Sequence, residues 1–157
     1  MRQWQCKVRS NGNDICADGI ATTFDDAVTS SGVSAATPGF IACSLPTGRG
    51  NCVATLGAPF PVLPFGQIVK VYNPRNGRVI YAPLIDEGPA YDAEGGTGHA
   101  GGAMIDLTPA AAQALGMTDN GPVSIRVLSG RIMPIAYVRL LVQWGMTLQE
   151  APPCSAR

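Results

Sequence analysis

GQIVKVYNPRNGRVIYAPLID, Gly66 to Asp86, is the stretch that decides the fold. Two runs rich in β-branched and aromatic residues, QIVKVY (67–72) and RVIYAPLI (78–85), flank NPRNG (73–77), where Pro74 and Asn76-Gly77 supply turn chemistry. That pattern predicts a β-hairpin. Its second strand ends on Ile85-Asp86, which places a carboxylate at a strand end beside an apolar residue. A second such pair, Ile105-Asp106, follows EGPAYDAEGGTGHAGGAM (87–104), a loop that holds six glycines and the chain's single histidine, His99.

Working outward, LTPAAAQALGM (107–117) carries helix punctuation: Thr108 as N-cap, Pro109 at the first helical position, an alanine-rich body and Gly116 as the stop. Asp106 therefore stands just before a helix N-terminus. GPVSIRVL (121–128) alternates as a strand, and GIATTFDD (19–26) reads as the first strand. Residues 27–64, dominated by Ser, Thr, Gly, Pro and Ala, read as a long excursion. Residues 131–157 read as another strand or a short helix followed by a tail with Pro152 and Pro153.

Composition narrows the class. A chain of 157 residues is most simply one domain, and 19 glycines with 13 prolines suit short strands and many turns, so the expectation is all-β. Lys plus Arg and Asp plus Glu number 11 each, which leaves no overall field to recruit nucleic acid or anionic lipid. No run of about 18 apolar residues occurs, since Arg139 interrupts IMPIAYVRLLVQWGM, so no membrane span is expected. MRQWQCKVRSNGND lacks the apolar centre of a secretory signal peptide, so export, if it happens, needs another route. The five cysteines show no CxxC and one histidine cannot complete a Cys/His zinc set, so no metal and no cofactor are expected. Cys43 and Cys52 bracket a turn-rich stretch, as do Cys6 and Cys16; these are the candidate disulfides, with buried or free thiols as the alternative.

LPFGQIVKVYNPRNGRVIYAPLIDEGP, followed by MIDLTPAAAQALGM and GPVSIRV, resembles the double-psi β-barrel domain of the rare lipoprotein A (RlpA) family, closely from Leu63 to Val127. GIATTF is similar to the family's opening strand. The resemblance implies a six-stranded double-psi β-barrel with one short helix, spanning 19–130 between extensions at 1–18 and 131–157. It also implies a groove for polysaccharide; the superfamily includes MltA-type lytic transglycosylases, expansins and family-45 endoglucanases. In RlpA-type enzymes a His before Leu-Pro works with the Asp of Asp-x-Gly-Pro. The Asp matches Asp86, whereas Phe60 occupies the His position. In the MltA type, the expansins and the endoglucanases the carboxylate before the helix matches Asp106, and the second endoglucanase Asp is similarly placed to Asp25. The loop between Asp86 and Asp106 is longer than the family pattern.

Glycosidic cleavage needs a carboxyl that stays protonated near neutral pH, which burial or a like-charged neighbour can arrange. A lytic transglycosylase can use one carboxyl as acid and then as base on the sugar's own 6-hydroxyl, whereas an inverting hydrolase needs two carboxyls with water between, as Asp25 with Asp106 would provide. His99 is a candidate replacement for the missing family His. Phe24, Phe60, Glu87 and Tyr91 are the candidate substrate-binding residues, with Trp144 a further candidate for stacking on sugar rings. Asp86 as a turn residue and Asp106 as a partner of the helix start are the structural alternatives.

The resulting expectation is a peptidoglycan-directed lytic transglycosylase acting on the MurNAc-GlcNAc bond, in the bacterial envelope or outside the cell. The alternative is a non-catalytic wall-binding or structural module, including a phage or phage-like tail component with residues 1–18 and 131–157 as docking segments for partner chains.

Overall fold

The computed structural model describes the backbone of residues 7–11 and the whole of residues 14–45, 62–87 and 104–145. In chain order the elements are β1 (Lys7–Asn11), β2 (Asp14–Thr23), β3 (Cys43–Leu45), β4 (Gln67–Tyr72), β5 (Val79–Glu87), β6 (Ile105–Leu107), α1 (Pro109–Ala114), β7 (Gly121–Ile132) and α2 (Ile135–Trp144). Six strands close a ring in the order β2-β6-β3-β5-β4-β7, with β7 pairing back onto β2, while β1 adds to β2 as an antiparallel partner. Two pairs are parallel, β2 with β6 and β3 with β5, and each parallel pair needs a long crossover. The fold is a double-psi β-barrel, as expected.

Inside the ring, alternate residues of each strand form one apolar core that includes Ala17, Ala21, Val69, Val71, Leu84, Ile105, Leu107 and, from β7, Ile125. β2 begins at Asp14, earlier than the strand read from 19–26, and its segment Ile15 to Ala21 is paired with β7. Small inward residues hide that strand in the sequence: Ala17 and Ala21 are fully buried, and a Cβ on Gly19 would lie 2.7 Å from Cβ of Met104.

The hairpin appears where the turn chemistry put it. Gly77 takes φ +79° and donates its N–H to the Asn73 carbonyl, and the Asn73 and Asn76 amides both donate to Leu115 O at the end of α1. At the other end of that helix Thr108 caps Ala111 N–H, donates its hydroxyl to Phe40 O at 2.6 Å and accepts from Ala42 N–H at 3.1 Å. One buried side chain thus fixes the helix start and the chain leading into β3.

Residues 24–42 contain no helix or strand, yet they are packed. Phe24, Val33 and Phe40 join Ile68 and Ile85 from the barrel wall and Val138 and Leu141 from α2 in a second core. The segment after β7, read as strand or helix, is the helix α2, which starts after Pro134 and ends at Gly145 in the left-handed region. Gly66 joins the two layers: its φ is +93° and a Cβ there would lie 1.8 Å from the Met133 carbonyl oxygen. No helix among the described residues is long and apolar enough to cross a membrane.

Candidate active site

Strand β3 is only three residues long, but it stands between β6 and β5 and so brings the two Ile-Asp pairs together. Asp106 lies opposite Thr22 on β2 and opposite Ser44 on β3, and Ser44 lies opposite Asp86 on β5. The result is a row, Thr22-Asp106-Ser44-Asp86, across four neighbouring strands. With adjacent strands about 4.8 Å apart, the Cα atoms of Asp86 and Asp106 are separated by about 10 Å.

The register explains which way the row faces. Ile105 and Leu107 point into the barrel core, so Asp106 between them points outward. On β5 the alternation alone would put Asp86 on the same side as Leu84, inside. The register shifts between Cys43 and Ser44, which pair with Leu84 and Asp86, so Ile85 is the extra residue of a β-bulge. A bulge re-aims the side chains after it, and here it returns Asp86 to the face that carries Ser44 and Asp106.

The two carboxylates have different surroundings. Asp106 is only 4% exposed and accepts the Thr22 hydroxyl proton on Oδ1. Asp86 is half-buried at the rim; its Oδ1 accepts N–H groups from Ser30 at 3.1 Å and Glu87 at 2.8 Å. Ser30 belongs to the packed 24–42 segment, and Ser31 N–H also bonds Ile85 O, so that segment clamps the bulge and orients Asp86. Chemically, the row offers one half-buried carboxylate at the rim and a second, buried one two strands away, with a hydroxyl-bearing strand between.

No family model matches the chain. The chain is 43% identical over 68 residues to the "Probable endolytic peptidoglycan transglycosylase RlpA" of Nostoc sp. (strain PCC 7120), covering 42% of this chain and 16% of that protein. It is 36% identical over 84 residues to the protein of the same name from Synechocystis sp. (strain PCC 6803), covering 54% of this chain and 23% of that protein. The chain carries an RlpA-like double-psi β-barrel. It spans less than a quarter of the length of either curated relative. Among solved structures it is similar to the Streptomyces papain inhibitor (SPI), with a TM-score of 0.42 and 20% identity, covering 74% of this chain and 96% of that one.

Other expected site residues of this RlpA-like barrel fall differently. Asp25 is exposed just beyond the end of β2. Phe24, expected at the substrate groove, is 5% exposed and belongs to the second core, where its backbone N–H continues the pairing to Leu107 O. Glu87 is exposed at the end of β5, and Trp144 is exposed at the end of α2. Phe60, Tyr91 and His99 lie outside the described residues.

The expected disulfides are corrected. Cys16 and Cys43 are both free, buried thiols. Cys43 sits in the barrel core with its Sγ 3.7 Å from Ala82 O and 3.8 Å from Pro83 O, and burial pushes its thiol pKa far up, so it stays neutral and inert. Its side chain points inward because Ser44 takes the outward position, which the turn-rich sequence between Cys43 and Cys52 did not reveal.

Thr22 and Ser44 are the site residues that sequence reasoning missed. Neither has a motif of its own; each is identified only by the strand opposite, Thr22 through a parallel pairing across 84 residues of chain.

Proposed function

We propose that this RlpA-like barrel cleaves peptidoglycan glycan strands as a lytic transglycosylase at the MurNAc-GlcNAc bond. The observation that carries the reading is the cross-strand row that joins Asp86 at the rim to the buried Asp106 through Ser44. In this reading Asp86 acts as the acid and base. It gives its proton to the leaving glycosidic oxygen as the bond to C1 breaks, then takes the proton of the sugar's 6-hydroxyl as O6 closes on C1 to form the anhydro ring. The carboxyl group ends protonated, as it began, and no water is consumed. Asp106, buried and held by Thr22, is the second carboxyl of the site, positioned rather than proton-exchanging. The names of the Nostoc and Synechocystis relatives support the same substrate class. The site of action is then the bacterial cell wall.

A second reading, a module that holds the wall without cutting it, is favoured by one observation: Oδ1 of Asp86 already accepts two backbone amides, as a purely structural aspartate does. The two readings part on product chemistry. Purified protein incubated with peptidoglycan sacculi, with mass spectrometry of the soluble fraction, is expected to release anhydro-muropeptides. Reducing-end products would point instead to a hydrolase, and retained sacculus binding without release would select the binding module.

A further inference from the structure

On the other half of the ring, the outer face of β7, β4 and β5 carries a second cross-strand row of opposite character. Lys70 on β4 stands directly opposite Arg126 on β7 and directly opposite Tyr81 on β5. Two cations in direct opposition destabilise a sheet, so this placement works against stability. They line a concavity of about 360 Å³ together with Arg131, Ser129 and Asp14.

Among the described residues lining the concavity Asp14 is the one acidic residue, and it is already engaged. It accepts Nε–H of Arg126 at 2.6 Å and the N–H of Ser129 at 2.7 Å, and those two bonds hold its carboxyl below the usual range. Three cations against one carboxylate leave a positive surplus in a concave site, on a chain whose formal charge is zero. Lys70 and the guanidinium groups are charge-assisted donors suited to a carboxylate. Tyr81, 38% exposed, adds an aromatic ring of the kind that packs against the apolar face of a sugar.

We propose that this concavity is a subsite for an acidic saccharide, with the sugar ring against Tyr81 and its carboxylate held by Lys70 and Arg131, beside Arg126. The choice of a sugar rests on the glycan-directed reading above; the preference for an anion rests on the cations alone. Tyr81 and Asp86 share β5 but stand five residues apart, about 16 Å along the strand, so the subsite would hold a neighbouring part of the polymer rather than the bond that breaks.

The test is a ¹⁵N amide titration of the full chain with N-acetylmuramic acid and, separately, N-acetylglucosamine, which lacks the lactyl carboxylate. The acidic sugar is expected to move the amides of Lys70, Tyr81, Arg126 and Arg131 and to bind more weakly as salt rises. The Lys70→Gln/Arg131→Gln double variant, with its amide dispersion intact, is expected to lose about tenfold in affinity. Equal binding of the two sugars, shifts confined to other strands, or unchanged affinity in the double variant would overturn the proposal. This readout needs no cleavage, so a protein that releases nothing from sacculi can still pass it, and one that cleaves can still fail.

Discussion

The two outward-facing rows of the barrel wall solve opposite problems. The row Thr22-Asp106-Ser44-Asp86 is acidic and hydroxylic; three of its four members are buried, and the Thr22 hydroxyl and the clamped 24–42 segment meet its carboxylates. The row through Arg126, Lys70 and Tyr81 is basic and more open, and among the described residues lining it Asp14 is the one carboxylate, paired with Arg126. Buried polar groups must be satisfied within the protein, so the acidic row is tied to the fold and its geometry is fixed. Lys70 and Arg126 are half-buried and keep contact with water, which screens them, so the basic row contributes little to stability. Function on the first row therefore comes with a stability dependence that function on the second does not.

The largest expected effect removes both rows together. Gly66→Ala would force a Cβ into the Met133 carbonyl at a positive φ, and a loss of at least about 4 kcal/mol, or failure to fold, is expected in urea melts. Asp106→Ala is next: it leaves the Thr22 hydroxyl without its acceptor in a buried site, at a cost of about 3 kcal/mol. Lys70→Ala is its counterpart on the basic row and should change stability by no more than about 0.5 kcal/mol in the same melts. Equal costs for these two would erase the contrast between the rows.

The smallest effect sharpens the comparison through pH. The folded-state pKa of Asp14 is lowered, chiefly by the Ser129 N–H and then by Arg126, so its contribution is fully present above the unfolded value of about 4 and is lost as pH falls through the lower folded value. Asp14→Asn should therefore melt about 2 °C or less below wild type at neutral pH, with the difference closing in acid. A gap that widened in acid would contradict that assignment.

How much of this was legible depended on whether the signal was local. The β4–β5 hairpin and α1 were readable because NPRNG and TPAAAQALG specify turn and cap geometry within a few residues. Asp86 and Asp106 were readable as candidates from their Ile-Asp pairs and the family resemblance, but not as neighbours. Their juxtaposition depends on CSL, three residues in a stretch of Ser, Gly and Pro with too little length for a strand period to show. The start of β2 was missed because Ala and Gly face inward there, and the 24–42 segment because its order comes from Phe24, Val33 and Phe40 packing against distant elements rather than from any repeat.

The most direct measurement is the rate of anhydro-muropeptide release from sacculi by Asp86→Asn beside wild type, with both melting temperatures recorded. A fall of about 10³-fold is expected, with melting within about 2 °C, because the substituted side chain keeps its size and an oxygen for the Ser30 and Glu87 amides but cannot exchange a proton. Wild-type rates of release from the folded variant would contradict the acid-base role of Asp86.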